Sequence, residues 1–168
     1  TSTLKQVFFN LFVLTILLLN SNRVSAADYY WVNGTGNWSD HGAHWAITSG
    51  GMIFHTTIPT LNDNVFFDAN SFTATNQSVV MDSTFIYCHS MDWSAATFNP
   101  QLIRQSNIKV NVYGSLVLSD SMYMNLAAFH LLSDSLNNDL YSGNVTIDSL
   151  YFEGSGSWDL TGPLNCDY

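Results

Sequence analysis

Asp40, His41 and His44 place two imidazoles and a carboxylate within five residues, donors that suit a divalent transition metal. A structural zinc site wants four such ligands, and His55 and His89 could join these three only through the fold. The competing reading is a turn in which Asp40 satisfies backbone donors. Asp63 and Asp68 are candidates for weak calcium binding, although the chain has neither an EF-hand loop nor a Gly-Gly-x-Gly-x-Asp nonapeptide. No Gly-x-Ser-x-Gly elbow offers a serine nucleophile. Thirteen acids guarantee carboxylate pairs of some kind, so a glycosidase-like pair carries no information by itself. No catalytic residue is assigned, and no cofactor is expected beyond weakly held calcium.

Trp31, Trp38 and Trp45 recur every seven residues, but Gly34, Gly36 and Gly42 between them exclude a regular helical seam. Two roles are open to the three indoles. Flat faces beside Asn and Asp could stack on sugar rings, which makes them candidate ligand-binding residues. Large aromatics also bury well and need one hydrogen-bond partner each, so they could seal the end of a fold.

The elements that must position these residues are strands. After residue 27, short β-rich runs such as Asp28 to Val32, Asn64 to Phe67, Ser78 to Met81, Phe85 to Cys88, Ile108 to Val112 and Asn144 to Ile147 are separated by Gly, Asn, Asp and Ser. Sliding the chain by 42 residues lays Ile108, Val110, Gly114, Leu116 and Leu118 over Leu150, Phe152, Gly156, Trp158 and Leu160. At half that offset Phe129 and Leu131 fall over Ile108 and Val110. A coil of about 21 residues lies in the range of solenoid repeats. The expected fold is all-β, a right-handed parallel β-helix, with the hand taken from the connection rule for parallel strands. Residues 28–100 lack the echo and carry most of the tryptophan, so they read as an aromatic-rich N-terminal cap segment, and residues 101–168 as the coils. The echo puts Phe152 on the inward face and Tyr151 on the outward one.

Residues 1–27 read as a signal peptide. Lys5 is followed by an apolar run from Val7 to Leu19, too short for the roughly 20 residues that span a bilayer, and by a small-x-small cleavage site ending at Ala26 or Ala27. Loss of Lys5 and Arg23 with that segment takes the formal charge from −9 to −11 and leaves Arg104 and Lys109 as the remaining Lys or Arg. Such a chain repels nucleic acid and has nothing to insert in a membrane once the signal is cut. In an oxidising compartment Cys88 and Cys166 could pair, closing a loop worth at most about 4 kcal/mol, or stay unrelated thiols. A start at Thr1 and a stop at Tyr168 inside the pattern read as a piece of a longer protein.

The segment Tyr30-Trp31-Val32-Asn33-Gly34-Thr35-Gly36-Asn37-Trp38-Ser39-Asp40, then His44-Trp45, Ser49-Gly50-Gly51, and Asn62-Asp63-Asn64-Val65-Phe66-Phe67-Asp68-Ala69-Asn70-Ser71-Phe72, resembles the start of a family of secreted proteins. They are the large, repetitive surface proteins of gliding-type Gram-negative bacteria, many of them type IX secretion cargo. Met91-Asp92-Trp93-Ser94 and Phe152-Glu153-Gly154-Ser155-Gly156-Ser157-Trp158 also resemble that family's coils. The resemblance implies β-helix character, display at or release from the cell surface, and an adhesive or structural role without catalytic residues. It also makes Ser83, Ser121, Ser135 and Ser149, each after an Asp, candidates for bacterial O-glycosylation, although Asp-Ser pairs are good turn formers too. Extracellular glycans or proteins are the expected partners. The alternative is a glycan-binding or glycan-cleaving β-helix module, drawn from fold analogy and the tryptophan cluster; a lyase would have only Arg104 and Lys109 as bases, and both sit in a segment read as loop and strand.

Overall fold

The computed structural model describes residues 26–105, 108–125 and 128–166. Apart from Ala26 and Ala27, the export segment lies outside them. The chain winds as a parallel β-solenoid of about four turns. The first coil holds β1 (Asp28–Trp31), β2 (Gly36–Asn37), a one-turn helix α1 (His41–His44) and β3 (Trp45–Ala46). The second holds β4 (Asn64–Phe66), β5 (Ser78–Met81) and β6 (Phe85–Cys88), and the third β7 (Met91–Asp92), β8 (Gln101–Arg104) and β9 (Lys109–Val112). The fourth holds β10 (Leu116–Val117), β11 (Tyr123–Asn125) and β12 (Ala128–Leu131). Above them lie β13 (Asn138–Tyr141), β14 (Ser149–Phe152) and β15 (Trp158–Leu160).

Three sheets result. The first runs β15-β13-β10-β7-β4-β1-β3, the second β11-β8-β5-β2 and the third β14-β12-β9-β6, and every pairing is parallel except β1 with β3. Period-2 alternation turns one row of each sheet inward. Val65, Met91, Leu116 and Leu140 form one such row, Val79 and Leu102 another, and Ile86, Val110 and Phe129 a third, all of them buried. Burying each large apolar side chain contributes about 1.5–3 kcal/mol, and stacking coils repeats that gain along the axis.

The 42-residue echo keeps the correct faces but averages two registers. Val110 pairs with Phe129 and Phe129 with Leu150, an offset of 40, whereas Leu116 pairs with Leu140 and Leu140 with Leu160, an offset of 44. The cause is the corner between the third and first sheets, which runs Val112 to Leu116 after β9 but Phe152 to Leu160 after β14, four residues longer. Both shifts are even, so no side chain changes face. Phe152 thus continues the inward row of Cys88, Val112 and Leu131, but it is 55% exposed. It has a strand neighbour on one side only and a Trp158 edge 5.5 Å away.

Parallel stacking begins at β1, not after residue 100, so the cap is shorter than the sequence suggests. β1 pairs with β4, β2 with β5 and β6 with β9 in the same parallel way as the later coils. The departure is confined to α1, β3 and the loop to residue 63. There the chain folds back so that Tyr30 faces Ala46 and Trp31 faces Trp45 in antiparallel pairing, covering the outer edge of the first sheet. Gly36 is required at this close approach, because a Cβ there would run into the His44 ring.

Cys88 is fully buried in the second coil, and burial pushes its thiol well above the usual range. Cys166 bridges to Ile147, just before β14. The two cysteines stand about four strand spacings apart, roughly 19 Å, whereas a disulfide requires Cα atoms within about 7 Å. They do not pair with each other.

Candidate functional site

The sequence-derived candidates in the cap resolve into structure. Trp31, Trp38 and Trp45 are all fully buried, so no indole face is available to a sugar. Trp45 meets Trp31 and Trp38 edge-on, with centroids 4.9 and 4.7 Å apart, and Phe67 stacks on Trp93 at 3.6 Å. Trp31 Nε1 donates to the Gly34 carbonyl at 2.7 Å and Trp45 Nε1 to the Trp38 carbonyl at 2.9 Å. The aromatics seal the first coil.

The imidazoles of the same segment are tied to the backbone. His44, buried and stacked on Trp31 at 4.6 Å, holds the Val32 carbonyl through Nδ1 at 2.8 Å, and His41 holds the His55 carbonyl at 3.1 Å. The Asp40 side chain makes no cap hydrogen bond; its carbonyl accepts from Ala43 and His44 instead. Asp63 is a buried staple: one carboxylate oxygen accepts from the Ala27 amide at 3.0 Å and the other from the Thr60 amide and hydroxyl at 2.9 and 2.6 Å. Asp68 accepts from the Asn70 amide in a tight turn. Both carboxylates thus accept from the backbone. Among the described residues no cluster of three or more metal-ligating side chains is assembled.

The chemistry gathers elsewhere, on the outer face of the third sheet. Two outward rows cross it: Phe85, Lys109, Ala128 and Ser149, and beside it Tyr87, Asn111, His130 and Tyr151. Small side chains at Ala128 and Ser149 leave a hollow between Lys109 and the larger residues of the second row. Arg104, at the end of β8, reaches the same hollow from the corner, and Asp148 and Glu153 close its far side. The groove has a volume of about 540 Å³, within the range of small-molecule sites. It unites Arg104 and Lys109 with both acids and with a histidine.

His130 is the most constrained of these groups. Its side chain is 6% exposed, and Nδ1 lies 2.7 Å from Glu153 Oε2. Its ring stacks on Tyr151 at 4.6 Å and 17°. Nδ1 is thus engaged, and the residue lines the groove. Tyr151 is 47% exposed and presents its other face outward. Neighbouring Asn111 is occupied structurally, its Nδ2 donating to the Ile86 carbonyl at 3.0 Å.

Of the candidate glycosylation sites, Ser121 and Ser135 are exposed, Ser83 is half-buried before β6, and Ser149 opens β14 on the floor of the groove. From the sequence Arg104 and Lys109 stand out only as the remaining basic residues, and no motif there marks them, His130, Asp148 or Glu153 as one site. The signal was present in the coil period, since Tyr151 follows His130 by 21 residues. Comparisons with protein-family models, curated proteins and solved structures found no match to this chain.

Proposed function

We propose that this protein is a non-catalytic scaffold of the cell surface or extracellular space, a β-solenoid that serves an adhesive or structural role. The observation that carries the reading is the parallel stacking of coils from β1 to β15, closed at its first coil by an aromatic seal and the antiparallel strand β3. Such a stack is stiff and holds its outward side chains at a fixed spacing of about 4.8 Å per coil. The apolar segment at Val7 to Leu19 and the resemblance to repetitive secreted surface proteins support display outside the cell. Acidity supports it as well, since a formal charge of −9 disfavours nucleic acid as a partner.

The test is exposure on intact cells of the source. Antibody against residues 28–166 should label unpermeabilised cells or the medium, and external protease should remove the label. Labelling only after permeabilisation would contradict the reading. The alternative of a glycan-binding or glycan-cleaving module draws its support from the groove of the third sheet.

A further inference from the structure

We infer that the groove on the third sheet binds an acidic saccharide, with Arg104 and Lys109 receiving its carboxylate and Tyr151 providing a stacking face. This deepens the scaffold reading by naming the chemistry through which the scaffold attaches.

Charge placement is the first argument. Once the signal segment is set aside, two Lys or Arg residues face thirteen acids, and both line one hollow. Among the described residues the sole short carboxylate contact to a basic side chain is that of His130 with Glu153, so neither Arg104 nor Lys109 is neutralised by a salt bridge. They are available to an anion from outside. A guanidinium offers a planar fork of donors matched to a carboxylate, and the ammonium adds a mobile second charge.

The acids of the groove decide what kind of anion fits. Asp148 and Glu153 are acceptors and need hydrogen-bond donors beside the anion, which a phosphodiester backbone or a row of glutamate side chains does not place there. A uronic-acid sugar carries one carboxylate per ring beside hydroxyls, so the cations meet the carboxylate while Asp148 and Glu153 accept from hydroxyl donors.

Aromatic placement is the second argument. Tyr87 and Tyr151 lie at the two ends of one outward row, three strand steps or about 14 Å apart, with Phe85 next to Tyr87. Phe85, Tyr87 and Tyr151 are 50%, 37% and 47% exposed. Tyr151 lines the hollow and Tyr87 stands outside it on the same row, an arrangement that suits a short chain of sugar rings laid along the solenoid axis.

The experiment is calorimetric titration of the protein with a mannuronate tetrasaccharide, with cellotetraose and a glutamate tetrapeptide as comparisons. The uronate should bind saturably, more tightly than either comparison, and more weakly as salt is raised. Lys109→Gln and Arg104→Gln should each weaken it about tenfold. Tyr151→Ala should weaken it while Tyr151→Phe does not, which separates loss of the ring from loss of the hydroxyl. Lys109 is exposed, so its variant should keep the native melting temperature and report on binding alone. Equal binding of cellotetraose would overturn the carboxylate assignment, and equal binding of the peptide would overturn the saccharide assignment. Absence of uronate binding, or binding unchanged in both cation variants, would overturn the site. None of these results bears on surface labelling of cells, so the scaffold reading stands or falls separately.

Discussion

Replacing Leu131 and Phe152 in turn by Ala separates a stacked coil from an open one. Both residues belong to the inward row that runs Cys88, Val112, Leu131, Phe152. Leu131 is fully buried between neighbours in the coils on either side, whereas Phe152 is 55% exposed. Leu→Ala in a packed core costs about 2–5 kcal/mol, and a residue enclosed on both sides by ladder partners sits near the middle, about 3 kcal/mol. Burying Phe completely contributes about 1.5–3 kcal/mol, so a side chain less than half buried contributes about 1 kcal/mol. The larger side chain should therefore be the cheaper loss, by about 2 kcal/mol. For a chain of this size that difference corresponds to roughly 5–8 °C in melting temperature. Thermal unfolding followed by tryptophan fluorescence reads it, because the buried indoles report on the capped end. Equal shifts, or a larger one for Phe152→Ala, would refute the row and coil assignment.

Asp63→Ala should destabilise the capped end by about 1–3 kcal/mol, since the Ala27 and Thr60 amides lose their acceptor. Hydrogen exchange should show it as faster exchange at those two amides, and unchanged exchange would contradict the staple. Hydrogen bonds from the Ser155 amide and hydroxyl hold the Asp134 carboxyl below the usual aspartate range. Because its folded pKa lies below the unfolded value near 3.8, its stabilising effect is present above that value and is lost as pH falls through the folded pKa. Carboxyl titration by NMR should place Asp134 below other exposed aspartates, and Ser155→Ala should move it upward; no movement would remove Ser155 as the cause. Calcium and magnesium should raise the melting temperature by similar small amounts through screening of the acidic surface, and a saturable, calcium-selective event in calorimetry would contradict that.

Strand faces were legible in the sequence because alternation survives any even shift of register. The pattern of Ile108, Val110, Phe129, Leu131 and Leu150 gives the inward side of the third sheet even though the 42-residue echo misses its pairing by two residues. Coil lengths were less legible, since they are set by corner geometry, and corners made of Gly, Ser and Asp accept extra residues at little cost. The tryptophans could be seen to belong together, but sealing and sugar stacking demand the same residue type, and only burial separates the two. The extent of the cap is hard to read from the sequence for a related reason. Its strands carry aromatics such as Tyr29 and Trp31 where later coils carry Leu and Val, which hides the repeat without changing the ladder. His130 looked like one polar residue in an apolar strand, and its meaning depends on ladder partners 19 and 21 residues away, Asn111 and Tyr151.

The claim that this solenoid holds its ligand without transforming it is tested most directly by mass spectrometry of the mannuronate tetrasaccharide after prolonged incubation with the protein at saturating concentration. The account requires the tetrasaccharide to be recovered intact, with its mass unchanged and no shorter fragments. Fragments that accumulate with protein concentration and disappear in Lys109→Gln would contradict it and make the groove a catalytic site.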